Sequence, residues 1–142
     1  MRRTLFVLCA VGLLTGCSLF RRGDSAPAPG PAPLSQRALT PEERALLSTT
    51  FAAVMKNPNT VQFKWNPIGQ PDDKGLAQYC GMINGTNDFG NYVGFQPFSA
   101  QVFFVGGKIV TAKLTLIGYD PASAQAVERD CKTYGIDPHT AS

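Results

Sequence analysis

The sequence predicts an α+β domain: a small antiparallel sheet of four or five strands packed by one N-terminal and one C-terminal helix. Two observations predict it. Capped apolar patterns of helical period stand at either end of residues 40–138. Between them, apolar residues alternate with polar ones and are interrupted by Gly, Pro and Asn turns, which is the period-two signature of strands.

Thr40-Pro41-Glu42-Glu43 opens the first helix with an N-cap hydroxyl, a proline at the first helical position and a Glu at N3, a capping box. Leu47, Phe51 and Val54 follow at helical spacing, with Met55 alongside. Asn57-Pro58 ends the pattern, because the residue before a proline is pushed out of the α region. Residues 61–65 alternate as a strand, and Pro67, Gly69 and Pro71 mark residues 66–75 as a loop. Residues 79–83 form a short strand closed by a turn at Asn84-Gly85. Further strands are predicted over 92–98 and 101–105, and Gly106-Gly107 is a two-residue hairpin signal. In residues 109–117, Val110, Ala112, Leu114 and Leu116 share one face and Thr111, Lys113 and Thr115 the other. One face should therefore be buried and the other solvated, with the helices covering the apolar one. Asp120-Pro121 starts the last helix, whose inner face carries Ala124, Val127, Cys131 and Tyr134, and Gly135 suits the C′ position. Residues 139–142, with the sole histidine at 139, read as a tail that frays.

The N-terminus reads as an address rather than a fold. Arg2 and Arg3 precede an apolar run from Leu5 to Leu14, too short for the ~20 apolar residues of a spanning helix. Leu14-Thr15-Gly16-Cys17 resembles the lipobox of bacterial lipoprotein signal peptides. The resemblance implies cleavage after residue 16, a diacylglycerol on the Cys17 thiol and acylation of its new amino group. An ordinary secretory signal with an incidental cysteine is the rival reading. Two or three acyl chains hold a protein stably where one does not. Asp after the lipidated Cys marks inner-membrane retention in such proteins. Ser18 stands there, so the expected location is the periplasmic face of the outer membrane. Arg21 and Arg22 either lie near lipid headgroups or simply solvate the linker.

Residues 17–39 carry the alternating stretch Ala26-Pro27-Ala28-Pro29-Gly30-Pro31-Ala32-Pro33. Such a composition favours extended polyproline II and cannot bury a core. At about 3.1 Å per residue it is a semi-rigid spacer of some tens of Å. The formal charge of the chain is +3, and loss of Arg2 and Arg3 with residues 1–16 leaves +1. No basic stripe for nucleic acid remains.

With Cys9 removed and Cys17 lipidated, Cys80 and Cys131 are left as a pair. In an oxidising compartment they are expected to form one disulfide. A catalytic or redox thiol is the alternative, but the chain has no C-x-x-C and no histidine placed to activate one. No G-x-S-x-G, phosphate loop or histidine cluster appears, and no metal or cofactor site is expected.

The most distinctive stretch is residues 79–98, with Tyr79-Cys80-Gly81, Asn84, Asn87, Gly90, Tyr92, Gly94-Phe95 and Pro97-Phe98 in that order. It is similar to a pattern found in small exported proteins and lipoproteins of proteobacteria. They tend to share an upstream helix that ends in a Pro-containing segment before a strand, as Lys56-Asn57-Pro58 does here. That resemblance implies a fold outline and no activity. Residue by residue, the stretch is either an Asn/Gly-rich turn followed by a core strand, or an exposed aromatic-amide surface. On the second reading Asn84, Asn87, Tyr92, Phe95 and Phe98 bind a protein or glycan partner. The functional expectation is a noncatalytic envelope lipoprotein that binds or scaffolds. The alternative is an inhibitor or accessory factor of a periplasmic enzyme or secretion machine.

Overall fold

A computed structural model of the protein describes residues 35–142. The expected signal peptide, Cys17 and the Pro/Ala-rich stretch lie outside the described residues.

The architecture is α+β, as the period analysis predicts. Strand β1 (Gln36–Arg37) precedes helix α1 (Pro41–Ala52); then come β2 (Gln62–Lys64), β3 (Ile68–Gly69), β4 (Leu76–Asn84), β5 (Gln96–Val105), β6 (Lys108–Ile117) and helix α2 (Pro121–Thr133). The four strands β2-β4-β5-β6 form an antiparallel sheet in that order, and β1 and β3 form a separate two-stranded ribbon. Both helices start as their caps dictate. The Thr40 hydroxyl accepts from the Glu43 N–H while the Glu43 carboxylate accepts from the Thr40 N–H. Asp120 accepts from the N–H and hydroxyl of Ser123 and from the Ala122 N–H, and those bonds hold its carboxyl below the usual range.

The helices cover opposite faces of the sheet, not one shared apolar face. Ala77, Tyr79 and Ile83 of β4 point with Phe98, Ala100 and Val102 of β5 into a large core against Leu47 and Phe51 of α1. Cys80 lies on the other face and packs with Val127 and Cys131 of α2 and with Ile136. Both sheet faces therefore bury apolar side chains. Strand alternation alone shows only that β4 has two faces, not that each has its own helix.

Three further expectations are corrected. The domain begins before Thr40: Gln36 and Arg37 pair with Gly69 and Ile68, and Leu39 is buried. Helix α1 stops at Ala52, so Val54 is exposed. The tail does not fray. Residues Pro138–Thr140 form a 3-10 turn, Pro138 and Ala141 are buried, and Ser142 exchanges two backbone hydrogen bonds with Trp65.

Asn66 organises that closure. Its backbone N–H and C=O both bond the Tyr79 hydroxyl at 2.8 Å. Its side-chain NH2 donates to the carbonyls of Cys80 and Asp137, and its Oδ1 accepts from Thr140. One buried residue thus ties β4, the C-terminal turn and the aromatic cluster of Phe51, Phe63, Trp65, Tyr79 and Phe98 together.

Candidate functional site

The predicted aromatic-amide residues do not form one surface. Phe98 is fully buried in the core, because β5 places it directly opposite Gly81. A Cβ on Gly81 would stand 3.0 Å from the Phe98 ring, so the glycine makes the room that the ring fills. Asn84 is buried too. Its NH2 donates to Gln62 and its Oδ1 accepts from the Gly94 N–H, which pins the base of the β4–β5 loop. Asn87 serves the same loop at its tip, accepting from the N–H groups of Phe89 and Asn91 at 3.0 Å. Phe95 is half-buried, with the Lys64 ammonium 4.8 Å above its ring centroid. Of the five, Tyr92 alone is an exposed aromatic.

What the loop presents was missed by reading the motif residues. Phe89, which the pattern skips, is 88% exposed at the tip of the loop, and Val93 and Tyr92 are half-exposed beside it. The loop that carries them is built. Thr86 and Tyr92 bridge as a short ladder, and the Asn57 side chain donates to the Thr86 hydroxyl and to the Thr86 and Asn87 carbonyls. Lys56 pairs with Asp88. A loop held at so many backbone positions displays its aromatic side chains with little ordering left to lose on contact.

Behind this display lies a groove of about 200 Å³ at the same end of the sheet. Met55, Val61, Ile83, Val93 and Ile117 make it apolar, and Tyr119 stands at its edge. The Tyr119 hydroxyl donates to the Met55 sulfur at 3.5 Å, and partial burial pushes its phenol up. The lining contains no carboxylate, histidine or thiol; its polar side chains are those of Lys56, Asn57, Thr86, Asn87, Gln96 and Tyr119. The arrangement can take an apolar side chain or short segment.

The predicted disulfide is present. Cys80 and Cys131 are bonded, with Cα atoms 6.1 Å apart and a sequence separation of 51. Both are fully buried, which excludes an exposed reactive thiol. Cys17 lies outside the described residues. No family model matches the chain, and no curated protein or solved structure matches it either.

Proposed function

We propose that the protein is a noncatalytic, lipid-anchored envelope protein that binds a protein partner through the groove at the Gly85 end of its sheet. One observation carries this reading: Phe89, Tyr92 and Val93 stand exposed on a hydrogen-bonded loop beside an apolar groove, with Tyr119 of the β6–α2 connection at the groove's edge. Rigid aromatic side chains beside an apolar cavity are what interface anchors use. A protein partner suits this lining better than a glycan, because Met55, Val61, Ile83, Val93 and Ile117 make it apolar and the Asn57 NH2 already donates within the protein. The anchor follows from the lipobox resemblance, and the Pro/Ala spacer would hold the domain off the membrane.

Site-specific photocrosslinking of the full-length protein in intact cells tests the groove. A benzophenone side chain at position 89 or 92 should give one adduct of the same mass, and a probe at the exposed Arg129 of α2 should not. Val93→Asp, placed in the groove wall, should abolish it. No adduct at 89 and 92, or the same adduct at 129, overturns the reading. If the adduct is an enzyme held in equal amount, the protein is its inhibitor or accessory factor. The anchor is tested by fatty-acid labelling: Cys17→Ala should lose the label and leave the membrane fraction.

A further inference from the structure

We propose a second binding site, an amide-lined cleft at the other end of the sheet that takes an uncharged oligosaccharide. Antiparallel pairing places Gln78 of β4 directly opposite Gln101 of β5. Both are on the face that carries Cys80, one strand position in two. Gln36 comes in from the β1–β3 ribbon and Gln70 from the loop after β3. Tyr134, the C-cap of α2, is half-exposed and walls the cleft, with Ile136 beside it. The cleft holds about 300 Å³, at the lower end of the range for small-ligand sites.

The chemistry of the lining selects the ligand class. Each glutamine amide offers two N–H donors and a carbonyl acceptor, which suits hydroxyl groups that both donate and accept. The Tyr134 ring offers a flat apolar face to the C–H face of a pyranose. The described glutamines with side-chain hydrogen bonds are Gln62, Gln78 and Gln125. Gln36, Gln70 and Gln101 therefore have their amides open to a ligand among the described residues. Gln78 is held by donating to Asp130 at 2.7 Å, which fixes its carbonyl oxygen. The sole charged side chain in the lining is Asp72, and its Oδ1 already accepts from the N–H groups of Lys74 and Leu76. An anionic ligand finds no cation in this lining. An apolar peptide would bury amides without partners, at ~1–3 kcal/mol for each unmet group.

This site stands apart from the groove, which shares none of its lining residues. The test uses the full-length lipidated protein in detergent micelles, titrated with an N-acetylglucosamine tetramer and, separately, with a glucose tetramer. Binding is read by calorimetry and by the side-chain NH2 resonances of Gln78 and Gln101. At least one tetramer should bind and shift both resonances. Equal binding of the two means that hydroxyls suffice; binding of the N-acetylated one alone means that an acetamido group is also read. Tyr134→Ala and Gln101→Leu should each weaken binding roughly tenfold or more, and Tyr134→Phe should bind as the parent does. Tyr92→Ala, beside the groove, should change nothing, so failure of the groove reading leaves this result standing. No binding of either tetramer at millimolar concentration overturns the proposal. So does binding that survives both cleft substitutions.

Discussion

At the scale of single residues, the distinctive motif turns out to be a packing code. Tyr79 is buried and bonds Asn66, Cys80 joins α2, and Gly81 leaves room for Phe98. Asn84 and Asn87 hold the loop between them. The Asn87 bonds are local, but the partners of Tyr79 and of the Asn84 NH2 are Asn66 and Gln62, which stand elsewhere in the chain and leave no local sign that these polar atoms are already used. Two substitutions test this account. In Gly81→Ala the new methyl would meet the Lys64 carbonyl at 2.9 Å and the Phe98 ring at 3.0 Å. Overpacking of this kind should cost about 1–3 kcal/mol, read as a lowered urea midpoint at unchanged slope. Tyr79 gives a pH signature. Burial pushes its phenol well above the ordinary value of 10, so above about pH 10 the unfolded chain loses this proton while the folded chain keeps it. Stability present below pH 10 should then fall by about 1.4 kcal/mol per pH unit from this group. Tyr79→Phe should be less stable at neutral pH, by ~1–3 kcal/mol for the unmet Asn66 groups. It should also show a shallower alkaline decline. An identical decline in both proteins would rule the phenol out as its source.

At the scale of elements, helices were more legible than strands, and β6 shows why. Its alternation predicts Val110, Ala112, Leu114 and Leu116 on the buried face. Instead Ile109, Ala112 and Ile117 are buried while Val110 and Leu116 are exposed. The register slips by one residue between Phe103 and Phe104 and again between Ser99 and Ala100 of the partner strand. A bulge sets two residues against one and turns the following side chains over. The predicted face therefore holds between the bulges and inverts outside them, and nothing local in residues 109–117 announces either slip. Caps, by contrast, are local, and both helix starts could be read directly. The ribbon was hidden for the opposite reason: β1 is only two residues long, and its Arg37 forks onto both oxygens of Glu43 at 2.7 and 2.6 Å. Hydrogen bonding to Arg37 lowers the Glu43 pKa, so this support is present above the ordinary Glu pKa and lost as pH falls. Arg37 is more than one-third exposed, and the pair should be worth less than about 1 kcal/mol globally. Glu43→Gln should thus leave the unfolding midpoint nearly unchanged while speeding amide hydrogen exchange at Arg37 and Ile68. Unaltered exchange there would mean that the ribbon stands without the ion pair.

At the scale of the whole molecule, the two sheet faces are unequal, and the disulfide compensates. The α1 face carries the aromatic cluster and most of the buried aliphatic side chains. The α2 face has a small core in which the two bonded cysteines are themselves major members. Closing a loop of this length restricts the unfolded chain by about 4 kcal/mol in the chain-entropy model, against total stabilities of ~5–15 kcal/mol for a domain. Without the bond the loss should not be spread evenly. Helix α2 has little apolar contact to keep it, whereas β2, β4 and α1 retain theirs, so local opening should precede global unfolding. The double variant Cys80→Ala plus Cys131→Ala should therefore exchange the α2 amides much faster than those of β4. Tyr134 leaves with α2, and with it the wall of the amide cleft, so oligosaccharide binding should vanish in this variant. The groove at the far end of the sheet is built from the α1–β2 connection, the β4–β5 loop and the end of β6. Its photocrosslink from position 89 should survive. Loss of both activities together would show instead that the domain unfolds as one unit and that its two ends cannot be uncoupled.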